Sequence, residues 1–88
     1  MSYKVTLTNK AQKIWQNADK ILKKKLAKCF AILQESPRSH PQIKSLQGFS
    51  GKYRFRVGDY RVIYTIDDDK VIVLVLLIEH RSKAYRKK

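Results

Sequence analysis

The 88-residue chain has one cysteine, Cys29, so no intrachain disulfide can form. Histidine is almost as scarce: His40 and His80 stand far apart, no cluster at metal-ligand spacing exists, and no metal or cofactor is implied. The longest apolar run, Val71 to Ile78, is rich in β-branched residues and falls far short of the roughly 20 residues of a membrane-spanning helix. It reads as a buried strand, and no membrane association is expected. The opening MSYKVTLTNK lacks an apolar core followed by a small-residue cleavage site, so the expected location is the cytoplasm. Acid is the last shortage. Seven Asp and Glu stand against 20 Lys and Arg, a formal charge of +13 that repels itself unless an anionic partner is at hand. That partner is a nucleic acid or a strongly acidic protein.

What remains reads as one α+β domain spanning residues 1–88. YKVTLT, residues 3–8, alternates like a strand, and Thr8 or Asn9 offers a helix N-cap. Ala11, Ile14, Trp15, Ala18, Ile21, Leu22, Leu26, Cys29, Phe30 and Leu33 then keep the three-and-four spacing of a buried helical face. Asn17, Ala18 and Asp19 break it into a helical hairpin joined near Asp19. Ser36 and Pro37 end the second helix, and SPRSHPQIKSLQGFSG reads as a long surface connection. Three strands follow, Lys52 to Val57, Tyr60 to Ile66 and Lys70 to about His80, as an antiparallel meander. The last is apolar on both faces and belongs inside the sheet. The order is β-α-α-β-β-β.

The hairpin KYRFRVGDYRVIY carries the chemistry. With Gly58-Asp59 as a two-residue type II′ turn, Arg56 opposes Arg61, Phe55 opposes Val62 and Arg54 opposes Ile63. Tyr53, Phe55, Val57, Tyr60, Val62, Tyr64 and Ile66 then share one face, while Arg54, Arg56 and Arg61 share the other. Opposed like charges destabilise a sheet, so three converging guanidiniums are better explained as an anion site than as a solvated face. Arginine's planar fork suits a phosphodiester. In RNA cleavage by the 2′-hydroxyl, fixed guanidiniums can neutralise the charge that builds on the phosphate oxygens, each such donor being worth about 100- to 1,000-fold in rate.

At the C-terminus, IEHRSKAYRKK offers Glu79 and His80 as acid or base, but as strand neighbours they point to opposite faces. His80 is favoured by its ordinary pKa, with a strand-end structural role as the alternative. Arg81 joins the phosphate set if the tail folds back, and Tyr85 can stack on a base or pack the tail. Trp15 and Cys29 read as core, and KILKKKLAK as a solvated helix side that also attracts RNA without sequence preference.

Together, SPR, LQGFSGKYRFRVGDYRVIYTIDDDKVIVLVLLIEHR and the tyrosine of KAYRK resemble the RelE/ParE superfamily of toxins, RelE branch, over nearly the whole chain. The resemblance implies a RelE-like fold, with the N-terminal strand and helical hairpin packed on an antiparallel β-sheet. It also implies a type II toxin that cuts mRNA in the ribosomal A site through the 2′-hydroxyl without a metal. By position it makes Arg54 and Arg56 the basic pair of the first meander strand, Arg61 the phosphate-binding arginine, Arg81 the basic residue near the leaving group, and Tyr85 the C-terminal tyrosine. Some members carry a lysine discussed as general base where this chain has Arg54, whose guanidinium stays protonated. The base is then His80 or Tyr85, or the site works by alignment and neutralisation alone. Implied partners are an acidic RelB-like antitoxin, the ribosome with its mRNA and, through the antitoxin, operator DNA. A ParE-like gyrase inhibitor and a non-catalytic RNA-binding module are the alternatives.

Overall fold

A computed structural model describes residues 2–46 and 51–84. The elements are β1 (Lys4–Leu7), α1 (Asn9–Asn17), α2 (Lys20–Glu35), β2 (Ile43–Ser45), β3 (Lys52–Val57), β4 (Tyr60–Asp67), β5 (Ile72–His80) and α3 (Arg81–Ala84). Both expected helix starts are capped by side chains. Thr8 Oγ1 accepts from Ala11 N at 3.2 Å, and Asp19 Oδ1 accepts from Leu22 N at 2.8 Å. Helices α1 and α2 pack on one face of a five-stranded sheet of order β1-β5-β4-β3-β2.

The α+β architecture matches the sequence expectation, with two additions. β1 pairs with β5 in parallel, Val5 opposite Val73, so the sheet is mixed while β2 to β5 run antiparallel. β2 arises inside the stretch expected to be a surface connection, Lys44 opposite Arg54, and is too short to show periodicity. β5 is an interior strand, as its two apolar faces require.

The core joins Ala11, Leu26, Cys29 and Leu33 of the helices to Phe55, Val57, Val62, Tyr64, Val73, Val75 and Ile78 of the sheet. Ile21, expected on the buried face, is instead 68% exposed. The new helix begun at Asp19 resets the phase, and its stripe runs through Leu22, Leu26, Cys29 and Leu33, one residue or about 100° away from Ile21. Burial pushes the Cys29 thiol up to about 12, so it stays protonated and packs as an apolar group. Tyr64 is fully buried, and its hydroxyl donates to Pro37 O at 2.7 Å. Beside it, Arg38 of SPR donates from both Nη atoms to the Asp68 carboxylate at 3.1 and 2.7 Å and from Nε to the Tyr53 hydroxyl at 3.3 Å. The Tyr3 hydroxyl donates to the same carboxylate, so one surface clasp ties the β4–β5 turn to β1, β3 and the end of α2.

Candidate functional site

The hairpin between β3 and β4 turns on Gly58, whose φ of +57° is the left-handed value a type II′ turn needs at its first central position. Glycine adopts it without steric cost. The register pairs Val57 with Tyr60, Arg56 with Arg61, Phe55 with Val62 and Arg54 with Ile63, as the turn length requires. Phe55, Val57, Val62 and Tyr64 are buried under the helices. Arg54, Arg56 and Arg61 occupy the face away from them, and Lys44 opposes Arg54 from β2 on the same side.

Arg81 is brought to this cluster by the turn itself. Its backbone N–H donates to Asp59 O at 2.6 Å, and its Nη1 lies 3.7 Å from Asp59 Oδ1. The backbone bond extends the β4–β5 ladder one residue past the Tyr60–His80 pair and so sets Arg81 beside the hairpin turn. Arg54, Arg56, Arg61 and Arg81 line one pocket of about 190 Å³, together with Gly58 and Tyr60. Lys25 Nζ comes within 3.7 Å of where a side chain on Gly58 would begin, so α2 adds a further cation at the hairpin tip. Concentrated positive charge of this kind favours an anion, and the guanidinium fork is a shape suited to pairing with phosphate oxygens.

The β4–β5 register decides which of Glu79 and His80 joins the arginines. Ile63 pairs with Leu77 but Tyr64 pairs with Val75, leaving Leu76 as the extra residue of a β-bulge. One extra residue reverses the facing of everything beyond it. Before the bulge, Val73 and Val75 point to the core; after it, Ile78 does, and Glu79 emerges opposite Arg61 on the arginine face. Arg61 Nη2 donates to Glu79 Oε1 at 3.1 Å, with both side chains about one-quarter exposed. Arg61 Nε is buried without a hydrogen-bond partner among the described residues, a donor in search of an acceptor.

His80, a sequence candidate for this site, lies on the opposite face. It is paired with Tyr60, with its ring edge-on to the Tyr60 ring at 5.0 Å. Its Nδ1 accepts from Ser82 N at 3.1 Å and lies 2.8 Å from Ser82 Oγ, so the imidazole is engaged at the start of α3. The structure therefore separates His80 from the arginines, and the cause is the bulge. Tyr85 lies outside the described residues. Glu79 is the member of the constellation that sequence reasoning left aside: face alternation was visible, but an all-apolar strand hides the point where its phase shifts.

The profile of the ParE toxin of type II toxin–antitoxin systems, parDE, matches residues 5–85. The mRNA interferase toxin RelE of Escherichia coli is 27% identical over 86 residues, covering 96% of this chain and 88% of that protein. Among solved structures, the toxin of the archaeal RelE-RelB complex from Pyrococcus horikoshii OT3 superposes with a TM-score of 0.81 at 26% identity, covering 94% of this chain and 99% of that one. The isolated E. coli RelE toxin gives 0.80 at 25% identity, covering 99% and 89%. With a family profile spanning nearly the whole chain and RelE toxins sharing its fold, this chain belongs to the ParE toxin family of type II toxin–antitoxin systems and, within the RelE/ParE superfamily, to the RelE branch.

Proposed function

We propose that this toxin is a ribosome-dependent endoribonuclease that cuts mRNA in the ribosomal A site by attack of a 2′-hydroxyl on the adjacent phosphorus. The observation that carries the reading is the convergence of Arg54, Arg56, Arg61 and Arg81 on one small pocket. The mRNA interferase name of the E. coli relative supports it. In the reaction the 2′-oxygen loses its proton to solvent water as the O2′–P bond forms. The P–O5′ bond then breaks, giving a 2′,3′-cyclic phosphate and a 5′-oxygen that takes up a proton. Charge accumulates on the non-bridging oxygens, where Arg61, Arg56 and Arg54 stabilise it, while Arg81 at the hairpin tip neutralises the leaving oxygen. None of the four is a base, because a guanidinium does not give up its proton in this pH range. Tyr85 keeps its proposed role of stacking on or orienting the substrate. His80, on the other face, is assigned no proton transfer in this scheme.

The partner chemistry follows from the charge. An acidic antitoxin that covers the +13 surface fits the RelE-RelB complex among the structural neighbours, and such a complex would reach operator DNA through the antitoxin. The proposed working location is the cytoplasm, where ribosomes and mRNA are found, and the proposed functional unit is the single domain 1–88. The test is primer extension on mRNA held on programmed ribosomes. Discrete cuts at the A-site codon are expected, together with intact naked mRNA. Intact mRNA on ribosomes, with gyrase trapped on DNA instead, would replace this reading with the gyrase one.

A further inference from the structure

We infer that Glu79 is a positioning residue: its carboxylate holds the Arg61 guanidinium against the repulsion of the neighbouring arginines and so aims it at the phosphate. Arg61 sits between two unlike neighbours. On the β3 side its cross-strand partner is Arg56, with Arg54 two residues along; on the β5 side its partner is Glu79. Like charges across a ladder push apart, and a long side chain relieves that push by swinging into solvent. The Nη2–Oε1 bond of 3.1 Å opposes the swing, and it forms where both side chains are largely covered, so it is less screened than a surface pair. One end of the fork is thus committed to Glu79, while Nε is buried with no hydrogen-bond partner among the described residues.

The bulge at Leu76 gives the second, independent support. A regular β5 continuing the register of Val73 and Val75 would turn Ile78 outward and Glu79 towards the helices. The extra residue keeps Ile78 in the core at 1% exposure and places the carboxylate beside Arg61 in one step. Asp59 stands 3.7 Å from Arg81 in a comparable relation, but there both side chains are more than half exposed and the hold is weaker. The catalytic consequence of the Glu79 contact rests on the proposed mRNA cleavage; the positioning itself does not.

The experiment compares wild-type toxin, Glu79→Ala and Glu79→Gln, each purified free of antitoxin. The order of the Arg61 Nε–H bond is measured by ¹⁵N relaxation, and single-turnover cleavage is measured at saturating programmed ribosomes. In Glu79→Ala the Nε–H bond is expected to lose order, and cleavage to slow by about 10- to 100-fold, the scale of a misplaced catalytic group. Binding to ribosomes carrying 2′-O-methylated, uncleavable mRNA should be unchanged or tighter, because the variant gains one net positive charge. Glu79→Gln, which keeps an acceptor oxygen at the same reach, should restore most of the order and rate. An Arg61 as ordered in Glu79→Ala as in wild type would overturn the inference. So would cleavage at or above the wild-type rate, or a loss of cleavage matched by weaker binding or by a lower melting temperature. If wild-type toxin cuts no mRNA, the activity reading fails on its own, and the Nε–H order still decides whether Glu79 positions Arg61.

Discussion

Replacing Arg56 by glutamine should make the protein more stable and less active at once. Arg56 and Arg61 are direct cross-strand partners, and Arg54 adds a third cation on the same face. Opposed like charges in a sheet destabilise it by roughly 0.2–1 kcal/mol, the scale Coulomb's law gives for two charges about 5 Å apart in water-like surroundings. Arg56 is exposed, so removing its charge leaves no buried group unpaired, and glutamine keeps most of the aliphatic length. The backbone bond from Arg56 N to Gln42 O, at 3.1 Å, does not depend on the side chain. For a domain of this size the gain corresponds to a rise in melting temperature of roughly 1–8 °C, fading as salt shortens the Debye length. Cleavage on programmed ribosomes should fall by about 10- to 100-fold, less than for a fully enclosed oxyanion donor because the site is open to water. Thermal melts at low and high salt, with single-turnover cleavage of the same preparations, measure both. A variant that melts lower than wild type, or cuts as fast, would refute the view that this face sacrifices stability for anion binding.

Tyr64→Phe should lower stability by about 1–3 kcal/mol in urea titrations, because it leaves the buried Pro37 carbonyl without its donor. Arg38, with Tyr3, holds the Asp68 carboxyl below the usual carboxylate range. The clasp therefore stabilises the fold fully above the unfolded carboxylate pKa of about 4 and is lost as pH falls through the lower folded value. Asp68→Asn should be less stable than wild type at neutral pH, with the gap closing as acid protonates Asp68; a gap that persists in strong acid would contradict this. Val71 adopts a φ of +57°, strained for a β-branched residue. Val71→Asn, which tolerates that region, should raise stability by about 0.5–1 kcal/mol in the same titrations. Cys29 should resist alkylation by iodoacetamide in the native state and react on unfolding; fast native labelling would argue against its burial.

The hairpin was legible because its turn is two residues long and its faces alternate. Gly58-Asp59 alone sets Arg56 opposite Arg61, and no long-range contact is needed to know it. The helical hairpin was legible for a similarly local reason, since Asp19 is a cap that also restarts the apolar stripe, although the restart was not carried through to Ile21. The end of β5 was less legible. Val71 to Ile78 is apolar at every position, so the sequence carries no alternation from which to detect the slip at Leu76. That slip alone decides that Glu79 faces the arginines while His80 faces Tyr60. The parallel β1–β5 pairing and the short β2 depend on contacts distant in sequence, which local pattern does not encode.

The most direct test of the central claim uses one mRNA, programmed so that a chosen codon occupies the A site, prepared with either a ribose or a 2′-O-methyl ribose on the 5′ side of the cleaved phosphate. The ribose form should be cut by wild-type toxin at that phosphate to leave a 2′,3′-cyclic end, and cut at least 100-fold more slowly by Arg61→Ala. The 2′-O-methyl form should bind but remain intact. Equal cutting of the two mRNAs, or of ribose mRNA by wild type and Arg61→Ala, would contradict the account.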